Sequence, residues 1–566
     1  MFAEVDGLPG AYQHLRLRLR IEQTRLLNWG QNVGLLEGVL EKPSRSIEAN
    51  RSIVLDILLE IQSTFKACMQ MTSTYDTIVP HPSAPSRDSV PTNTESLLRK
   101  TLALLEKTPQ LSVRLQWAMV KKDHFTKLID KLIGYNDAIE SFLDKAALDH
   151  LQIMQQRTYM MILQLTDKVD ELNDLSHALR IRGPTSASAF DPGLSRSATL
   201  VAEHDYGTGI RLADFKAHHT LPAPSGQDLK IRDMRTIRLI PNETDRPGVV
   251  YNGKQGWVEW KSWDKDDDPN STRNKTIEDR VRRLVNLLAS EYKPPEFRAP
   301  QCLGYFVEHG TESLMPISHD KIDDNWRFGL VYENPFHGLE HTVPTSLRDL
   351  LGTSRMPSLN KRLALGHAIA ESLMYLHSVN WLHKGVRSNN ILFPSPLGQQ
   401  SINPMSPGYL PMLSGFDYAR PDLPDSMTER ASQILEHEVY RHPELTNLTS
   451  TRSKKSHDIY SLGIVLIEIG YWAPVEEILR IEFNKRGATR RVRQIRDQLL
   501  SEENGYFVAI NGLVGDMYGR VVRRCVVGGL DIGIPPNGDE NDPKVGVEMQ
   551  RVFLEEIVGK LGSVRV

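Results

Sequence analysis

Residues 383–390 of this 566-residue chain, His-Lys-Gly-Val-Arg-Ser-Asn-Asn, crowd imidazole, ammonium, guanidinium and amide groups into one short polar loop. The loop follows an amphipathic segment that ends near Leu376, and it re-enters an apolar strand at Ile391-Leu392-Phe393. A carboxylate in such a loop could act as a base or hold a metal ion. None stands between His383 and Asn390, and the second residue after His383 is Gly385. Two other positions invite chemistry: Lys261, at the end of Gly256-Trp257-Val258-Glu259-Trp260-Lys261, and Asp417, two residues after Gly415. Cys68, Cys302 and Cys525 lie far apart and outside any metal-ligand spacing, which argues against a disulfide framework and a zinc site.

Taken in order, these segments resemble those of protein kinases. On the pattern His-Arg-Asp-x-x-x-x-Asn, His383 takes the histidine position, Asn390 the metal-binding asparagine, and Gly385 the place of the catalytic aspartate. Val258-Glu259-Trp260-Lys261 resembles Val-Ala-Ile-Lys, which implies that Lys261 would hold nucleotide phosphates. The Gly-rich loop is absent, because Gly248, Gly253 and Gly256 do not form G-x-G-x-x-G. In the following helix Glu278 sits early for the glutamate that pairs with the lysine, and the better-aligned positions hold Arg282 and Arg283. At the hinge, Pro335 occupies the place of an adenine-binding N–H that proline does not have. Gly415 stands for the aspartate of Asp-Phe-Gly and Asp417 for its glycine. His442-Pro443-Glu444 resembles Ala-Pro-Glu, and Asp458-Ile459-Tyr460-Ser461-Leu462-Gly463 the start of the central helix. The resemblance implies that Glu444 anchors the preceding segment and that Asp458 braces the loop. It assigns Lys261 and Asn390 to nucleotide binding, with ATP held weakly or without a metal, and no residue to catalysis.

The elements that must position these groups follow from periodicity. Short strands are expected at 236–240, 248–251, 256–261 and 328–332, with helices at about 276–290 and 358–380. Upstream, residues 11–38, 46–74, 94–106, 112–148 and 149–179 show helical spacing, which predicts a bundle that buries one apolar stripe from each helix. Arg16, Arg18, Arg20 and Arg25 are expected on a solvated face of the first helix, the alternative being an acidic membrane surface. The Pro- and Ser-rich stretch 80–91 reads as a surface loop. Residues 181–230 read as a flexible linker in which Ser195 and Ser197 could be phosphorylated.

The run Leu17-Arg18-Leu19-Arg20-Ile21-Glu22-Gln23-Thr24-Arg25-Leu26-Leu27-Asn28-Trp29-Gly30, with Trp117-Ala118-Met119 and Lys127-Leu128-Ile129-Asp130-Lys131-Leu132, resembles the HeLo domain of fungal prion-inhibition and cell-death proteins. In that family a hydrophobic N-terminal segment precedes this helix and is thought to enter membranes. Here the leader before Arg16 is short and contains Pro and Gly, so insertion is not expected from this start.

The expectation is therefore an α+β multidomain protein: a HeLo-like all-α bundle (1–180), a linker (181–230) and a bilobal protein-kinase-like fold (231–335 and 336–566). Net charge −3, 40% apolar and 25% charged residues fit a soluble chain and argue against nucleic acid as a partner. No segment reads as a signal peptide or a membrane span. The resemblances imply a cytoplasmic pseudokinase in fungal incompatibility or cell-death signalling, peripheral at a membrane when activated, with protein partners and self-association through the bundle. The alternatives are an unconventional ATP-dependent Ser/Thr kinase using Lys261, Asn390 and Asp417, and a passive scaffold.

Overall fold

The computed structural model describes residues 10–33, 50, 52–54, 56–61, 63–64, 122–143, 147–148, 151, 155, 213, 215–217, 228–240, 246–263, 272–291, 293–309, 326–335, 344–352, 355–393, 411–422, 434–446 and 452–563. The chain divides into two compact units, Met1–Ala217 and His218–Val566.

In the first unit, α1 (Gly10–Asn32) packs against α2 (Lys122–Glu140). Leu128, Ile129, Leu132 and Ile139 recur on one side of α2 and are buried. Leu132 and Ile139 join Trp29, Val54, Ile61 and Leu151 in one core cluster. Each such side chain withdrawn from water is worth about 1.5–3 kcal/mol. Arg18 and Arg25 of α1 are not on the solvated face expected of them, while the Arg16 and Arg20 side chains lie outside the described residues. Arg18 donates to Asp130 at 2.8 Å, and Arg25, 8% exposed, is ringed by Glu22, Asp137 and Glu140. Carboxylates on the facing helix draw these cations inward.

The expected helices at 94–106 and 149–179, the loop at 80–91, Trp117 to Met119 and both linker serines lie outside the described residues, apart from isolated Leu151 and Gln155. Within 181–230, Ala213, Phe215, Lys216 and Ala217 are helical and buried, so that short piece is not solvated linker. No helix among the described residues is long and apolar enough to cross a membrane.

The second unit mixes sheet and helix. Strands β1 (Ile237–Ile240), β2 (Gly248–Tyr251), β3 (Lys254–Trp263), β4 (Cys302–His309) and β5 (Trp326–Glu333) form one antiparallel sheet in the order β1-β2-β3-β5-β4. The β2–β3 hairpin closes on Asn252 and Gly253, both at positive φ (49° and 77°), as a two-residue turn of that hand requires. Alternation along β3 then divides its side chains: Val258 enters the core with Ile237, Val249, Phe306 and Val331, while Glu259 and Lys261 share the other face. The helix α3 (Thr272–Ala289) packs on β4 through its buried Val281, Leu284, Val285 and Leu288.

Beyond β5 the unit is mainly helical. The hydrophobic α4 (Leu359–Ser378) packs against α5 (Lys455–Tyr471). Short strands accompany them: β6 (Thr345–Ser346), ahead of α4, forms one small sheet with β8 (Ile391–Phe393) and β9 (Met412–Leu413), and β7 (Trp381–Leu382) pairs with β10 (Arg420–Pro421). The polar loop 383–390 connects β7 to β8 and is thereby held at both ends.

Candidate functional site: the cleft between the sheet and the polar loop

The loop rests on Asp458, near the start of α5. One carboxylate oxygen accepts the His383 N–H and the other the Lys384 N–H, both at 2.8 Å, and His377 Nε2 lies 3.2 Å away. Burial pushes the Asp458 carboxyl up, but the His377 hydrogen bond and the surrounding donors outweigh it and hold it below the usual range. Gly385 N–H donates to His383 Nδ1 at 3.2 Å, which leaves the ring's hydrogen on Nε2. Burial lowers the His383 pKa to about 4, so the ring is neutral near pH 7.

Lys261 and Asn390, the two residues expected to hold a nucleotide, both face this region and both are engaged by the protein itself. Lys261 donates to the main-chain carbonyl of Asp417. Asn390 donates from its amide nitrogen to the Gly385 carbonyl at 2.7 Å and accepts at its oxygen from Arg246 Nη2 at 2.7 Å. Arg246 also donates to the Asn389 carbonyl at 3.0 Å and to Glu259 at 2.8 Å. The Glu259 carboxylate, on a residue 6% exposed, accepts two further bonds, from Ser414 Oγ at 2.7 Å and from Gly415 N–H at 2.9 Å. Burial alone would raise the Glu259 pKa; Arg246, Ser414 and Gly415 together hold it below the ordinary carboxylate value.

Sequence reasoning missed Arg246 and Glu259. Glu259 carried a readable signal, a charged residue two positions from Lys261 and so on the same face of an otherwise apolar strand. Arg246 carried none, since its two partners in the loop lie 143 and 144 residues away.

The two glycines at the expected carboxylate positions are tightly enclosed. A Cβ on Gly415, whose φ is +76°, would fall 2.0 Å from the Asn390 side chain; one on Gly385 would meet the Gly415 carbonyl at 3.1 Å and Asn390 Nδ2 at 3.3 Å. Asp417 is no replacement ligand as it stands. One of its carboxylate oxygens is buried without a hydrogen bond, and burial raises its pKa.

The other expected contacts also differ in their partners. Glu278 pairs with Lys230 at 2.6 Å, while Arg282 and Arg283 both pair with Asp279. At the end of β5 the N–H groups of Glu333 and Asn334 donate to the carbonyls of Gln301 and Gln255, each at 2.9 Å. Trp257 and Tyr332, both fully buried, stack with ring centroids 5.7 Å apart on the cleft face of the sheet.

A separate open cavity lies beside the loop, lined by Lys384, Arg387, His437, Arg441, His442 and His457 among others; neither Lys261 nor Asn390 lines it. His442, His457 and Glu444 cluster there in the manner of metal ligands. The rings forbid that role as they stand. They stack at 4.8 Å with 18° between planes, so their lone pairs run side by side instead of converging. Both Nδ1 atoms accept main-chain N–H groups, from Glu444 and Lys454, which places hydrogen on Nε2. Glu444 instead pairs with His457 Nε2 at 3.2 Å, tying the segment around Pro443 to α5. That hydrogen bond lowers the Glu444 pKa to about 2.

Residues 1–175 match the family model for prion-inhibition and propagation, HeLo, which supports the resemblance of the first helices to that family. No curated protein matches the chain.

Proposed function

We propose that the chain is a signalling protein of the prion-inhibition type, in which a HeLo-like helical unit is coupled to a pseudokinase. The HeLo part is supported by the family match over residues 1–175. The pseudokinase part is supported by one observation above the rest. The loop 383–390 is braced by Asp458 and joined through Arg246 to the strand that carries Lys261, while glycines packed against Asn390 occupy both places where phosphoryl transfer would need carboxylates. A five-stranded antiparallel sheet with one packed helix, followed by a helical region around α4 and α5, fits the two lobes of a protein kinase. That likeness concerns architecture and carries no activity with it. The cleft orients neither a hydroxyl nor a divalent cation, so the domain acts by being recognised and by passing a conformational signal to protein partners, self-association of the helical unit among them.

Incubating the purified chain with Mg²⁺ and γ-labelled ATP tests the reading. No transfer to the chain or to a generic protein substrate is expected. Transfer that disappears in Lys261→Met would establish the unconventional-kinase alternative in its place.

A further inference from the structure

We propose that Arg246 is a built-in latch that closes the cleft and competes with phosphate groups for it. Only the identity of the displaced ligand, a nucleoside triphosphate, rests on the kinase-like reading. The latch itself stands on three hydrogen bonds made by one guanidinium.

The planar fork of an arginine holds acceptors on two elements in a fixed geometry, where a lysine offers a compact point charge on a flexible stem. Arg246 uses it so. Its Nε meets Glu259 on β3, while its two terminal nitrogens meet the Asn389 carbonyl and the Asn390 side chain on the loop. A positive charge therefore sits between the sheet and the asparagine that resembles a metal ligand. There it is neutralised by the protein's own carboxylate and not by a polyphosphate. Both functional atoms of Asn390 are spent, on Arg246 and Gly385, and Glu259 is fully supplied with donors.

A nucleotide entering this space meets two costs. It must break the Arg246 bridge, and it must bring negative charge toward a buried carboxylate that has just lost its counter-ion. At 18% exposure the Arg246 side chain still reaches solvent at the rim, so displacement has a route. The closed arrangement is thus the ligand-free ground state, and ligands can act on it only by binding the open state better.

The test uses the full chain and two readouts. Hydrogen exchange at residues 383–391 reports the latch without any ligand, and thermal shift with ATP, with and without Mg²⁺, reports competition. Arg246→Lys keeps the charge and removes the fork; Arg246→Ala/Glu259→Ala removes both charges, so that no buried carboxylate is stranded if Arg246→Ala alone fails to fold. Arg246→Lys is expected to speed exchange in the loop at least tenfold. The double variant is expected to bind ATP at least tenfold more tightly than wild type, and Lys261→Met in that background should cancel the gain. Unchanged exchange in both variants overturns the latch whatever ATP does. Equal ATP affinity in wild type and double variant overturns the competition and leaves the kinase-like reading standing. Faster exchange with no ATP binding in any variant keeps the latch and overturns a nucleoside triphosphate as the ligand it competes with.

Discussion

Asp458 takes the main-chain N–H groups of His383 and Lys384 on its two carboxylate oxygens, at 2.8 Å each. Lys384 has φ 61°, a left-handed conformation that a side chain rarely adopts, and the carboxylate beneath it is what makes that conformation tolerable. Asp458→Ala leaves two buried N–H groups unpaired and is expected to cost at least about 2 kcal/mol. Urea denaturation of the full chain checks this. An unchanged midpoint would show that the loop does not depend on its brace.

Restoring a carboxylate at Gly415 is not expected to restore a metal site. The new Cβ would strike Asn390, and the residue would have to hold φ +76°, which alone costs about 1–2 kcal/mol outside glycine. Gly415→Asp should lower the melting temperature and gain no Mg²⁺-dependent stabilisation by ATP. A clear Mg²⁺-dependent gain would mean that Asn390 yields readily.

In the helical unit, Arg25 stands among Glu22, Asp137 and Glu140. Burial already raises the Glu140 pKa, and Arg25 is the main group acting against it. Arg25→Met strands these carboxylates and is expected to destabilise by about 3–5 kcal/mol, the cost typical of breaking a buried pair. Loss of helical circular dichroism at lower urea than in wild type is the readout.

Glu468, fully buried on α5, accepts from the Tyr440 hydroxyl at 2.8 Å, and Tyr440 in turn meets Ser388 of the loop at 2.8 Å. Burial raises its pKa to about 7. The folded state therefore holds this proton more tightly than the unfolded chain does. The stability it gives is complete below pH 4.5 and is lost as pH rises to 7, amounting to roughly 3 kcal/mol. Glu468→Gln should flatten that part of the stability profile relative to wild type. Parallel profiles from pH 4.5 to 8 would show that Glu468 does not titrate there.

Part of the site was legible from local pattern alone. The short apolar run from Gly256 to Lys261 located β3, and the polar interval after Leu376 located the loop. What local pattern could not supply was the identity of partners. Lys261 meets a carbonyl 156 residues away, and Glu278 is spent on Lys230. Arg25 looked like a surface residue because the carboxylates that enclose it belong mostly to a helix more than a hundred residues later. Periodicity reports which way a side chain faces; whether it faces water or an ion of opposite charge is decided by elements that periodicity does not see.

The turn at Asn252 and Gly253 has a consequence for the reach of Arg246. Eight paired residues fix β3 against β5, whereas only four fix β2 against β3, so β2 is the strand that would absorb an extra residue in the turn. A slip by one inverts a strand's faces. Val249 would leave the core, and Arg246, just upstream of β2, would lose its approach to Asn390. Whether the cleft is bolted from within is thus written in the length of a two-residue turn that touches neither partner.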